Sequence, residues 1–73
     1  MQSEIIKFDQ ANDKVFSYCF EPIDETESTT EYLLTLWVNT ADVASESIWV
    51  SSEQEVHDHA EKMYQNYLEY IKP

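Results

Sequence analysis

Apolar residues recur with a period of two in separate segments up to Val50 and with a helical period after it, a switch that predicts strands followed by one helix. Ile5 to Phe8 and Val15 to Phe20 flank Asp9-Gln10-Ala11-Asn12-Asp13, and Asn and Asp tolerate the left-handed conformations of a tight turn, so these segments are read as a hairpin. In the second segment Phe16, Tyr18 and Phe20 share one face and Val15, Ser17 and Cys19 the other, because strand side chains alternate. The aromatic face is assigned to the core. Glu21 to Glu31 contains Glu21, Asp24, Glu25, Glu27 and Glu31 together with Pro22, Thr26, Ser28, Thr29 and Thr30 and no basic residue; it is read as an exposed acidic loop.

Tyr32 to Val38 is the strongest strand, with Tyr32, Leu34, Leu36 and Val38 on one face and Leu33, Thr35 and Trp37 on the other. A loop from Asn39 to Glu46 then leads to a short fourth strand, Ser47 to Val50, with Ile48 and Val50 inward and Trp49 outward. Ser52 and Glu55 have capping-box spacing, and acids in the following turn complement the helix dipole, so a helix is predicted to start here. Val56, Ala60, Met63, Tyr67 and Ile71, widened by Tyr64, Leu68 and Tyr70, form its buried stripe; Lys72 suits the C-terminal end, and Pro73 follows. The expected fold is α+β: a small antiparallel sheet of three to four strands with one C-terminal helix packed on one face, in a single domain spanning 1–73.

Composition changes the picture mainly through charge. Fifteen Asp and Glu stand against four Lys and no Arg, for a formal charge of −11. Such an excess repels itself in the compact state and surrounds it with a negative field whose natural counterpart is a cationic surface. With 42% apolar residues the chain is too rich for a disordered acidic tail. Cys19 is alone, so no disulfide staples the fold, and a reducing, cytoplasmic setting is expected. No export signal or membrane-spanning run is evident. Glycine is absent, which rules out Gly-rich phosphate loops and leaves every turn to Asn, Asp, Pro or Ser.

Candidate chemistry is sparse. His57 and Glu61 have the i, i+4 spacing of two ligands on one turn, yet His57 and His59 project about 200° apart and cannot grip one ion. No metal and no cofactor are expected. Cys19 is read as a small packed hydrophobe rather than a nucleophile, no paired-carboxylate cleft is indicated, and the expectation is that the protein is not an enzyme. Direct nucleic-acid binding is not expected either, since the lysines are scattered.

Two surfaces remain. The sheet face away from the helix would show Val15, Cys19, Leu33, Trp37 and Trp49, and Leu33, Trp37 and Trp49 are taken as an apolar interface for a partner or a second copy. Asp24, Glu25, Glu27, Glu31, Glu53, Glu55, Asp58 and Glu61 are taken as an acidic partner-binding surface. In length, acidity, lack of disulfides and small sheet-plus-helix make-up, the chain resembles inhibitors of bacterial defence encoded by phages and mobile elements, including anti-restriction and anti-CRISPR proteins. That resemblance implies action in the host cytoplasm, and because it rests on overall character it transfers no residues. The expected function is that of a non-enzymatic inhibitor that mimics nucleic acid and blocks a basic, nucleic-acid-binding host protein. The alternatives are an antitoxin or immunity-type protein neutralising a basic toxin, and a small homodimeric protein of unknown role.

Overall fold

A computed structural model describes residues 2–71; Lys72 and Pro73 lie outside the described residues. Four strands, β1 (Gln2–Asp9), β2 (Lys14–Glu25), β3 (Thr30–Val38) and β4 (Ala41–Val50), precede helix α1 (Glu53–Ile71). Each strand pairs antiparallel with its sequence neighbour in the order β1-β2-β3-β4. The helix packs on one face of this meander, as the change of period predicts.

Turns are built without glycine. Between β1 and β2, Asp13 takes a φ of 54° and Asp9 accepts hydrogen bonds from the Asn12 backbone N–H at 3.3 Å and the Asn12 side-chain amide at 2.9 Å. The Asn12 amide holds the Asp9 carboxyl below its ordinary pKa. Between β3 and β4, Asn39 takes a φ of 57°; its N–H donates to the Val15 carbonyl at 2.8 Å and its Oδ1 accepts from the Val15 N–H at 2.9 Å. One residue thereby ties the β3–β4 turn to the start of β2.

The two loops expected from the sequence are much shorter than anticipated. The segment read as an acidic loop from Glu21 to Glu31 is mostly strand, with β2 running to Glu25 and β3 starting at Thr30. Only residues 26–29 turn the chain, closed by Thr26 N–H on the Thr29 carbonyl at 2.8 Å and by the two threonine hydroxyls at 2.6 Å from one another. Proline within a central strand is tolerated because Pro22 stands beside a bulge at Ile23. Likewise the Asn39 to Glu46 loop reduces to Asn39 and Thr40, and β4 starts at Ala41 rather than Ser47. A bulge at Val43 shifts the register there, pairing Leu36 with Ala44 but Trp37 with Asp42, and thereby hides the alternation from the sequence pattern.

Phe16, Tyr18, Phe20, Leu34, Leu36 and Val50 form the buried face of the sheet against Val56, Ala60, Met63 and Tyr64 of α1. The Phe16 and Tyr64 rings meet edge to face at 5.1 Å, the favoured geometry for aromatic quadrupoles. Ile6 and Val43, the extra residues of the β1 and β4 bulges, also pack on this core. The far end of the helical stripe departs from expectation. Tyr67 and Leu68 are partly buried, but Tyr70 is 85% exposed and Ile71 is also exposed. Tyr70 lies on the β4 side of the helix, and β4 is the last strand of the sheet, so no neighbouring strand covers the ring.

At the helix start Glu55 Oε2 accepts from the backbone N–H groups of Ser51 at 2.8 Å and Ser52 at 3.0 Å, and from the Ser51 hydroxyl at 2.9 Å. This is the glutamate half of the expected capping box. The Ser51 hydroxyl and the adjacent N–H groups hold the Glu55 carboxyl below its usual value of 4.5. A carboxylate whose pKa falls on folding stabilises the fold above its unfolded pKa and loses that contribution as pH drops through the folded one. Glu55→Gln is therefore expected to lower the thermal midpoint at pH 7, with the gap to the parent closing as the pH is brought well below 4; a gap of equal size in strong acid would mean that the charge plays no part.

Candidate interaction surface

Strand register decides where the acids go. Val50 pairs with Thr30, so the end of β4 and the start of α1 return to the tip of the β2–β3 hairpin. Thr30, Tyr32, Val50, Ser51, Ser52 and Glu53 line one shallow depression of about 180 Å³ there. Asp24, Glu25, Glu27 and Glu31 from the hairpin and Glu53 and Glu55 from the helix are thus gathered at one end of the molecule. Asp58 and Glu61 do not join them. They continue along the helix, accepting from Gln54 at 3.1 Å and Gln65 at 3.3 Å.

The described lysines lie elsewhere. Lys14 pairs with Asp9 and Lys7 with Phe16 at the opposite end of the β1–β2 ladder, while Lys62 sits further along α1 beside Glu55, Asp58 and His59. The molecule measures 45 × 22 × 17 Å. Because the Debye length is about 8 Å at physiological ionic strength, Lys7 and Lys14 cannot neutralise the far tip. The acids at this end are carried by a hydrogen-bonded hairpin and a capped helix rather than a loose loop.

The second expected surface, the sheet face away from α1, shows Trp49 at 49% exposure with Leu33 and Trp37 partly buried. Cys19 differs from the expectation that it would show on this face: it is buried, and the Trp37 indole N–H donates to its Sγ at 3.2 Å. Two exposed apolar residues on β1 extend the face. Ile5 is opposite Ser17 and Phe8 opposite Val15, which places both on the open side. At the acidic end the same face continues into charge, with Glu21 opposite Leu33, Glu31 opposite Trp49 and Asp24 opposite Glu31. Aromatic and acidic surface are contiguous.

A third grouping was not foreseen. The Tyr18 hydroxyl donates to Glu4 Oε2 at 2.8 Å and also meets His57 Nδ1. A phenol has one proton; with it given to Glu4, His57 Nδ1 must carry the hydrogen for its own contact. His57 further lies 3.5 Å from Glu4 and 4.0 Å from Glu53, so β1, β2 and α1 meet at this cluster. Burial, then the bond to Glu4 and its charge, push the Tyr18 phenol well above its ordinary pKa, which keeps it a donor throughout the neutral range. An unbroken hairpin register would place Glu4 opposite Cys19; the bulge at Ile6 shifts it by one residue and brings Glu4 opposite Tyr18, and nothing in the sequence marks that bulge. Tyr18→Phe is expected to cost about 1 kcal/mol in urea unfolding, the net value of an ordinary hydrogen bond, and to speed amide exchange in β1 more than in β3. Equal acceleration in both strands would contradict the role of this cluster in holding β1.

The histidines diverge as their spacing requires. His57 turns towards Tyr18 and Phe20, whereas His59 turns to Glu46 of β4 at 3.2 Å. Among the described residues no group of three His, Cys, Asp or Glu is placed to hold a metal ion, and no helix is long and apolar enough to cross a membrane. Comparison with protein-family models, with curated proteins and with solved structures gave no match.

Proposed function

We propose that this is a non-enzymatic acidic protein that docks onto the basic, nucleic-acid-binding surface of another protein and occupies the place of the nucleic acid. The observation that carries this reading is the collection of Asp24, Glu25, Glu27, Glu31, Glu53 and Glu55 at one end, beyond screening range of Lys7 and Lys14. A cationic groove that receives a nucleic-acid backbone, with one phosphate per 3.4 Å per strand, presents the complementary field. Long-range attraction would speed encounter, and the adjoining Trp49, Leu33 and Trp37 would slow release by burying aromatic surface. In this reading the target is a host enzyme or complex of bacterial defence, in keeping with the overall character of the chain.

The test is capture from a bacterial lysate at low salt on immobilised protein, followed by elution with salt and, separately, with single- and double-stranded DNA. Recovery of a nuclease, polymerase or interference complex that leaves the resin with DNA and whose affinity falls steeply with salt would support the reading. A captured partner indifferent to both would overturn it.

A further inference from the structure

The edges of the sheet are not equivalent. β1 carries Lys7 and a bulge at Ile6, two devices that discourage addition of another strand. β4 has its own bulge at Val43 and an inward-facing Glu46, but between Ala41 and Val50 it has neither Lys nor Pro, and from Ala44 to Val50 it pairs regularly with β3, with no described strand on its other side. Beside that edge, between β4 and the last turns of α1, is a groove of about 290 Å³ lined by Val43, Ala44, Glu46, Met63, Asn66, Tyr67 and Tyr70. Tyr70, which lines this groove, is 85% exposed.

We propose that β4 takes up an extended segment of a partner protein as a fifth strand, with apolar side chains directed into the groove and basic side chains on the opposite face. Strand addition supplies affinity through backbone hydrogen bonds and specificity through pockets for alternate side chains. On the helix side the incoming residues would lie beside Ala44, Glu46 and Ile48 and beneath Tyr67 and Tyr70; Glu46 is turned to His59 at 3.2 Å, which leaves the groove to an apolar side chain. On the open side they would lie beside Asp42, Ser45, Ser47 and the half-exposed Trp49, whose ring face and neighbouring Glu31 favour a cation. Charge selects this occupant over a second copy of the chain. Pairing β4 with itself would bring together two molecules of charge −11 and add no base along the shared edge. The inference does not depend on the nucleic-acid-mimic reading, which uses the acidic end.

The probe is a synthetic peptide of four Lys-Val repeats titrated into the isotope-labelled full chain and followed by amide chemical shifts. Two further peptides are N-methylated at alternate residues, one at every lysine and the other at every valine. A strand added to one edge uses the N–H groups of one alternate set only. One methylated peptide is therefore expected to bind about tenfold or more weakly, a factor consistent with losing a few backbone hydrogen bonds, while the other binds like the parent, with shifts confined to β4, Met63, Tyr67 and Tyr70. Equal binding of all three peptides, or shifts centred on the β2–β3 tip, would reduce the interaction to bulk electrostatics and overturn the proposal. So would concentration-dependent shifts along β4 in the protein alone, which would assign the edge to a second copy.

Discussion

Leu34→Ala is expected to leave little folded protein. Leu34 is fully buried in the middle of β3, facing the helix residues of the core, and removing three carbons there loses both transfer free energy and the packing of the cavity lining, about 3–5 kcal/mol. Domains as a class are stable by only about 5–15 kcal/mol, and a chain this short buries less of its surface than most. Urea unfolding followed by circular dichroism would show the loss as a lower midpoint with an unchanged slope. Leu33→Ala, one residue earlier, is the matched comparison. Its side chain lies on the open face, so the same change should cost less than about 1 kcal/mol. Similar losses at the two positions would mean that the open face is covered as well.

Neutralising the hairpin acids is expected to move stability and binding in opposite directions. Glu25→Gln, Glu27→Gln and Glu31→Gln together remove three charges from the β2–β3 hairpin tip, which carries no lysine of its own. Less self-repulsion should raise the thermal midpoint, most clearly at low ionic strength where screening is weakest. Association with a cationic partner captured from lysate should slow by about tenfold or more under the same conditions, because complementary fields act mainly on encounter. Added salt should shrink both differences. A triple variant that is more stable and binds at the parental rate would assign the acidity to solubility alone.

How much of this was legible varies with the local regularity of the strands. The Phe16, Tyr18 and Phe20 face, the Leu34 and Leu36 face and the capped helix all follow from uninterrupted periodicity, and each is found where the pattern puts it. The misreadings cluster at bulges. One extra residue at Ile6, Ile23 or Val43 reverses the phase of alternation, so strands that continue through it look like loops when read by a strict period. The ends of β2 and β3 carry a second difficulty. They extend to the hairpin tip, where β2 is exposed from Pro22 to Glu25, so no apolar alternation marks residues 22–25 as strand. The acidic surface was legible as composition but not as geometry. Only the Val50–Thr30 pairing brings the start of the helix to the hairpin tip, and that pairing depends on β3 reaching back to Thr30 and on the register shift at Val43. Tyr70 was misplaced because helical spacing reports the side of a helix a residue occupies and not whether a strand lies under it.

The simple meander also has a bearing on how the chain is made. Every strand pairs with the one just before it, so the sheet can grow stepwise from local contacts, a topology associated with rapid folding. The helix that seals Phe16, Phe20 and Leu34 is, however, encoded after all four strands. A sheet that formed ahead of α1 would leave its greasy side bare, and mutual repulsion among chains so rich in carboxylates would then keep them from sticking to one another.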